Sequence, residues 1–388
     1  MTLERIRPTR VGRRLEVARS HGGGARRWHC GIFTTAIAAG TLALAACGGH
    51  PGGSSPPAAP VPPAPAHQAR GAPLPGPFRG LLLIADRGNN RLLLVDGKKR
   101  ILWSYPRPGS APSFPFRYDD DAFFCPGYQA IISSQEMQHT IQVISFPGGK
   151  VVWHYGRPDQ PGSAPGRLAR PDDAYVLPDG TRTVADILNE RVLFISPAGK
   201  IVRQYGKTGI SGHRPPHLLG APNGDTPTPG GGMLVTEIAG SWVDAISAAG
   251  KLEWSVRTPA VYPSDAQLLS GGRILLADYA SPGRVFIIDR RGRVLWRYGP
   301  SSGRGELDHP SLAALLPGGL VAVSDDYHDR VVLIDPRART IVWQYGHTGA
   351  AGSAAGYLDT PDGLDFLPAQ AIARDPQLAA LLRAPTRP

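Results

Sequence analysis

The chain has 388 residues, and glycine and proline together supply 88 of them, near 23%, against about 12% in an average chain. Helix interiors tolerate neither residue, which argues against an all-helical fold, and a hydrophobic fraction of 41% argues against wholesale disorder. Three cysteines are too few for a disulfide-stapled scaffold or a cysteine zinc cluster, and the net charge of +11 is unevenly placed.

Residues 1–30 carry eight arginines against two acids, a net +6, which leaves only +5 for the rest of the chain. A nucleic-acid partner is therefore not expected, because the basic block belongs to a leader. Gly31 to Ala46 follows without a single charge, and its 16 residues are short for a membrane span. That is the layout of a secretory signal peptide. Leu44-Ala45-Ala46-Cys47 at its end resembles the lipobox of bacterial lipoproteins. The resemblance implies that residues 1–46 are removed and that Cys47 carries diacylglycerol as a membrane anchor; the alternative is an ordinary signal peptide with a chance cysteine. Arg13-Arg14 and Arg26-Arg27 are candidate twin-arginine export pairs, though neither has the flanking pattern. From Cys47 to residue 78 proline, glycine, alanine and serine dominate. Such a segment buries too little apolar surface to offset its ordering entropy. It reads as a disordered tether reaching roughly 90 Å at about 3.1 Å per residue. The expected product is an extracytoplasmic domain held off a membrane surface.

Residues 79–367 repeat themselves. A hexad of alternating apolar character recurs six times, beginning at Ile101, Val151, Ile201, Leu252, Val294 and Ile341, and its third positions from Trp103 step by 50, 50, 51, 42 and 47 residues. Alternation places the first, third and fifth positions on one strand face, so Trp and Tyr share a side. Before most hexads stand a Gly-containing turn, a short strand often ending in Ala-Asp, a tight polar turn and an apolar strand that opens on arginine, as in Arg191-Val192-Leu193-Phe194-Ile195. Four antiparallel strands per unit at this period predict an all-β, six-bladed β-propeller. The first unit lacks its inner strand, and Tyr357 to Leu367 supplies one at the far end, so a C-terminal strand is expected to complete the first blade. Residues 368–388 read as a tail with one short helix and a frayed end.

Asp86-Arg87-Gly88-Asn89-Asn90-Arg91 and Asp186-Ile187-Leu188-Asn189-Glu190-Arg191, each leading into an apolar strand, resemble the NHL repeat. Asp335 to Trp343 is similar to the repeat of quinoprotein (PQQ-type) propellers, and Ile287 to Trp296 to bacterial arylsulfotransferase propellers. These resemblances imply architecture and not chemistry, since such families share a fold with different activities. PQQ itself is disfavoured, because the quinoprotein dehydrogenases of that resemblance are larger, typically eight-bladed, and bring cofactor-binding residues not seen here.

Asp86 with Arg91, Asp186 with Arg191, Asp278 with Arg284 and Asp325 with Arg330 recur in four units. Catalysis needs one site, so these read as structural pairs, and the tryptophans as packing between blades. The residue after the inner-strand proline, which Asp119 replaces in blade two, is the better site candidate: Asp120, Asp172, Asn223, Ser264, Ser311 and Asp362 would converge on the central channel. Asp121, Asp173 and Asp265 come next along the same strands. Carboxylates around a narrow opening suit a hard cation such as Ca²⁺, which takes about 6–8 oxygens; the plainer reading is a water-filled channel lined by solvated acids. His217 and His309 lie near the inner strands and are secondary candidates. The arylsulfotransferase resemblance implies histidine chemistry, but no local motif fixes a nucleophile here. Cys125, between two apolar elements, reads as a buried thiol. The sequence favours a binding or scaffolding module of the cell envelope, its partner an envelope protein or a small molecule. The alternative is an enzyme, either a metal-dependent hydrolase or lactonase at the channel mouth, or a histidine-using transferase.

Overall fold

The computed structural model describes residues 76–382. Cys47, the leader and most of the tether lie outside the described residues. The repeats fold into six antiparallel sheets, the blades of a propeller. Blade two is representative: Asp119–Phe124 innermost, then Ala130–Gln135, Thr140–Ser145 and Val151–Gly156 outermost. In the middle strands of each blade both faces are buried against neighbouring blades, which explains their near-continuous Leu, Val and Ile content. The expected closure is present. Pro361–Pro368 pairs antiparallel with Gly80–Asp86, Leu82 opposite Phe366 and Ile84 opposite Leu364, so first and last strands share a blade. No long sheet edge is left open at the seam.

The hexads form the outermost strands, and their aromatic residues stack as the alternation requires. Ring centroids lie 6.4 Å apart for Trp103 and Tyr105 and 6.2 Å for Trp153 and Tyr155. Four of the five indoles also reach the next blade. Trp103 Nε1 donates to Pro147 O, Trp153 to Pro197 O, Trp296 to Pro336 O and, across the closure, Trp343 to Gly97 O at 3.0 Å. Arg203, the one hexad third position without an aromatic residue, makes the same kind of bond: its Nη1 donates to Ala248 O at 3.0 Å.

The recurrent Asp–Arg pairs are ion pairs in three blades, at 2.6 Å for Asp86–Arg91, 2.8 Å for Asp186–Arg191 and 2.6 Å for Asp325–Arg330. The same carboxylates accept the backbone N–H of Asp359, Ala169 and Asp308, each two residues before an inner strand. They pin the incoming loop to the blade. Asp278 accepts the N–H of Val261 instead and forms no such bridge with Arg284, because its turn is one residue longer.

Two segments differ from expectation. Blade four carries three regular strands, Met233–Glu237, Trp242–Ile246 and Leu252–Arg257. Its inner segment, residues 222–227, bonds to Met233–Glu237 from Asn223 N–H to Thr236 O, Thr236 N–H to Gly224 O and Leu234 N–H to Thr226 O, but pairs only through isolated bridges and not as a continuous strand. The C-terminal tail holds two short helices, Ala369–Arg374 and Pro376–Leu381, with Ile372 and Leu378 buried beside Leu81 and Leu367. Phe78, which composition places at the end of the tether, is buried edge-on against Trp343 at 5.4 Å.

Candidate functional site: the acidic axis

Each inner strand is entered through a sharp turn. The residue before it is left-handed in five blades: Tyr118, Arg170, Ala221, His309 and Thr360, with φ between 49° and 56°. A side chain in that conformation costs about 1–2 kcal/mol, so the surrounding bonds hold these turns in place. Immediately beyond them lies the predicted polar ring. Asp120, Asp172, Asn223, Ser264, Ser311 and Asp362 are all brought together and all buried. Asn223 Nδ2 donates to Ser264 O at 3.0 Å, and Tyr262 donates its hydroxyl to Asn223 Oδ1 at 2.8 Å. Ser311 Oγ sits between Asp326 Oδ1 at 2.7 Å and Asp362 O at 2.9 Å.

One residue deeper, Asp121, Asp173 and Asp265 form a second tier, joined by Asp225. The equivalent positions in blades four and one are Gly224 and Gly363, and their lack of a side chain makes the room. A Cβ on Gly224 would stand 3.1 Å from Asp173 Oδ2 and 3.3 Å from Asp265 Oδ1. Thr226 donates to Asp265 Oδ1 at 2.7 Å, whereas Asp173 Oδ2 and both oxygens of Asp225 are buried without a hydrogen-bond partner. Asp120, Asp121 and Asp172 each offer a carboxylate oxygen within 4.8 Å of the others, a donor set fit for a metal ion.

Sequence reasoning missed the counter-charge. Arg87 projects from the turn after the second strand of blade one. Its guanidinium bridges Asp120 at 2.7 Å, Asp362 at 2.5 Å and Glu136. Glu136 occupies the equivalent turn of blade two, Tyr279 that of blade five and Asp326 that of blade six. These positions read as ordinary turn residues in sequence; the signal available was their alignment as a second ring beside the first.

Burial dominates the electrostatics. It pushes Asp172 well above the usual carboxylate range, reinforced by Asp121, and does the same to Asp173, reinforced by Asp265. Asp120 is also held well above that range by burial, against the pull of Arg87. Asp121 is raised to about 8 by burial and by Asp362. Burial opposes the charge on Arg87, but Asp120, Asp362 and Glu136 together keep it firmly protonated. Eight aspartates and Glu136 thus gather around two guanidiniums, those of Arg87 and the partly exposed Arg170, 3.6 Å from Glu136. The axis is packed with carboxyl groups rather than lined by solvated ones. The arrangement stores protons when empty and offers hard oxygen ligands to a cation that replaces them.

The channel mouth is aromatic on one side. Tyr279, His309 and Tyr327 are in mutual ring contact, with His309 4.3 Å from Tyr327 and 4.9 Å from Tyr279. His309 Nδ1 is 2.7 Å from Asp308 Oδ1, which fixes the ring. His309 thus lies directly before the inner strand of blade six, packed between Tyr279 and Tyr327. His217 is exposed in a turn closed by its N–H to Arg214 O and takes no part in the buried ring.

Fold and site together define a class: a six-bladed β-propeller with an acidic axis. No protein-family model and no curated protein matches the chain. Among solved structures it is similar to a protein of unknown function from Bacteroides caccae, with 20% identity, a TM-score of 0.53, and coverage of 74% of this chain and 99% of that one. It is similar to a chain of a nidogen/laminin complex at 14% identity and a TM-score of 0.51, covering 74% of this chain and 98% of that one. At such identities these likenesses establish the propeller fold and nothing of its chemistry.

Proposed function

We propose that this protein is a lipid-anchored, extracytoplasmic propeller acting as a binding module of the cell envelope, with its ligand held at the channel mouth through a hard divalent cation such as Ca²⁺. The anchor rests on the Cys47 lipobox, which lies outside the described residues. The observation that carries the site is the surplus of buried carboxyl groups over guanidiniums around Asp120, Asp121 and Asp172. Buried charge of one sign is costly unless protons or cations compensate it. Exposed Tyr118 and Tyr327 beside the opening add faces on which an organic ligand can stack.

A second reading is an enzyme at the same mouth. It is favoured by His309, oriented by Asp308 next to Tyr279 and Tyr327, and a histidine so placed can serve as a general base. The test of the first reading is thermal unfolding of the full chain in EDTA and then with Ca²⁺, Mg²⁺ or Mn²⁺. Ligand linkage gives about 2.7 kcal/mol at one hundred times Kd. A shift abolished by Asp121→Asn with Asp172→Asn supports the cation site; no shift with any of the ions sinks it.

A further inference from the structure

Blade four departs from the pattern of blades one, three and six. Where three blades pair an aspartate with an arginine across the end of the second and third strands, blade four has Glu237 opposite Trp242. The missing guanidinium is replaced by His213, delivered by the 206–222 loop. Its Nδ1 lies 2.9 Å from Glu237 Oε1, and its ring stacks on Trp242 at 4.0 Å and 9°. The other Glu237 oxygen accepts the N–H of Gly220, so that carboxylate is held.

Two residues further along the third strand stands Asp244, opposite Val235. The equivalent residues in blades one, three, five and six are Leu93, Leu193, Phe286 and Val332. Blade two carries the buried Gln142 there, so the position admits a polar side chain, but Asp244 is the one carboxyl among the six. Asp244 is fully buried, with Glu237 and Ser255 as its polar neighbours, yet neither of its oxygens is in well-formed hydrogen-bond geometry. An unpaired buried carboxyl of this kind is a standing cost unless something fills the gap.

We propose that His213, Glu237 and Asp244 form a transition-metal site of the Zn²⁺ type, separate from the acidic axis. One nitrogen and two carboxylate oxygens lie within 4.8 Å of one another. Tetrahedral zinc with bonds near 2.0–2.2 Å spaces its ligands about 3.4 Å apart, so small side-chain rotations close the set. An imidazole ligand favours Zn²⁺ over Ca²⁺ or Mg²⁺, which prefer all-oxygen shells. Ser255 Oγ, 3.2 Å from His213 Nε2, holds the distal nitrogen and leaves Nδ1 facing the carboxylates, as outer-shell partners of metal-bound histidines do. The His213 side chain is 27% exposed. The fourth position therefore opens toward water or a substrate atom, the pattern of reactive rather than structural zinc.

The full chain is stripped with EDTA and titrated with Zn²⁺ in saturating Ca²⁺, which occupies hard oxygen sites. The expected result is one bound Zn²⁺ per chain, with affinity reduced at least about a hundredfold in His213→Ala and in Asp244→Asn, the upper end of what losing an outer-shell partner alone costs. The Asp121→Asn, Asp172→Asn double variant retains wild-type Zn²⁺ affinity, so failure of this site and of the axial site are read separately. His213 sits on a loop, so His213→Ala decides the matter even if Asp244→Asn unfolds. Wild-type affinity in His213→Ala, or no Zn²⁺ bound by the wild-type chain, overturns the proposal.

Discussion

Arg87 shows how one side chain sets the state of the axis. It joins three carboxylates from two blades, Asp362 of its own blade and Asp120 and Glu136 of the next, and no partner on its own strand accounts for its position. Removing one member of a buried ion cluster strands the others, at a cost of about 3–5 kcal/mol. Arg87→Met is therefore expected to lower stability by that amount in urea unfolding, and added Ca²⁺ should recover part of the loss by taking the vacated place among the oxygens. If Arg87→Met is neutral in EDTA, the carboxyls it touches are already uncharged and the counter-ion role is wrong. Cys125 gives a simpler check. Burial pushes its thiol up to about 12, and it is the one cysteine among the described residues. A maleimide should leave it unmodified in the native protein at pH 8 and label it at once in denaturant. Labelling of the native protein at the unfolded rate would place that thiol at the surface.

The strands were the most legible part of the sequence, because each hexad states its own period and its own face. The alternation that puts Trp343 and Tyr345 together is local, and so is the proline that opens an inner strand. What alternation cannot express is the bond from Trp343 to Gly97 O, since the two residues meet only when the ring closes. Nor can it reveal that Arg203 donates to the same kind of carbonyl as the tryptophans, or that residues 222–227 pair with blade four only through isolated bridges. The polar ring from Asp120 to Asp362 was legible because it follows the prolines in register. Arg87 and Glu136 were not, because they sit in turns whose side chains gain meaning from blades far away in sequence. The closure supplies a direct test. Trp343→Phe removes a buried hydrogen bond that spans the seam and is expected to cost about 1–2 kcal/mol. Trp153→Phe loses a longer, 3.2 Å bond at a more exposed place within the ring and should cost less. Equal losses in urea unfolding would mean that the seam is no more sensitive than any other blade boundary.

Six blades, each donating polar groups to one axis, concentrate charge that no blade could hold alone, and this couples the stability of the whole ring to pH. Burial raises Asp121 to about 8, and Asp172 and Asp173 move in the same direction. An unfolded aspartate titrates near 3.9. Between these limits the folded state binds more protons than the unfolded one, so stability falls as pH rises. The contribution is fully present below about pH 4 and is lost as pH climbs through about 8. In EDTA the urea midpoint is therefore expected to drop between pH 5 and pH 9 by an amount on the order of a few kcal/mol. Asp121→Asn should flatten the slope, because an amide needs no proton to stay neutral. Saturating Ca²⁺ should flatten it from the other side, since a bound cation stabilises the ionised carboxylates that high pH produces. A midpoint that rises across this window would show that the acids at the axis are ionised and compensated without any bound ion, and the case for a cation at the centre of the propeller would go with it.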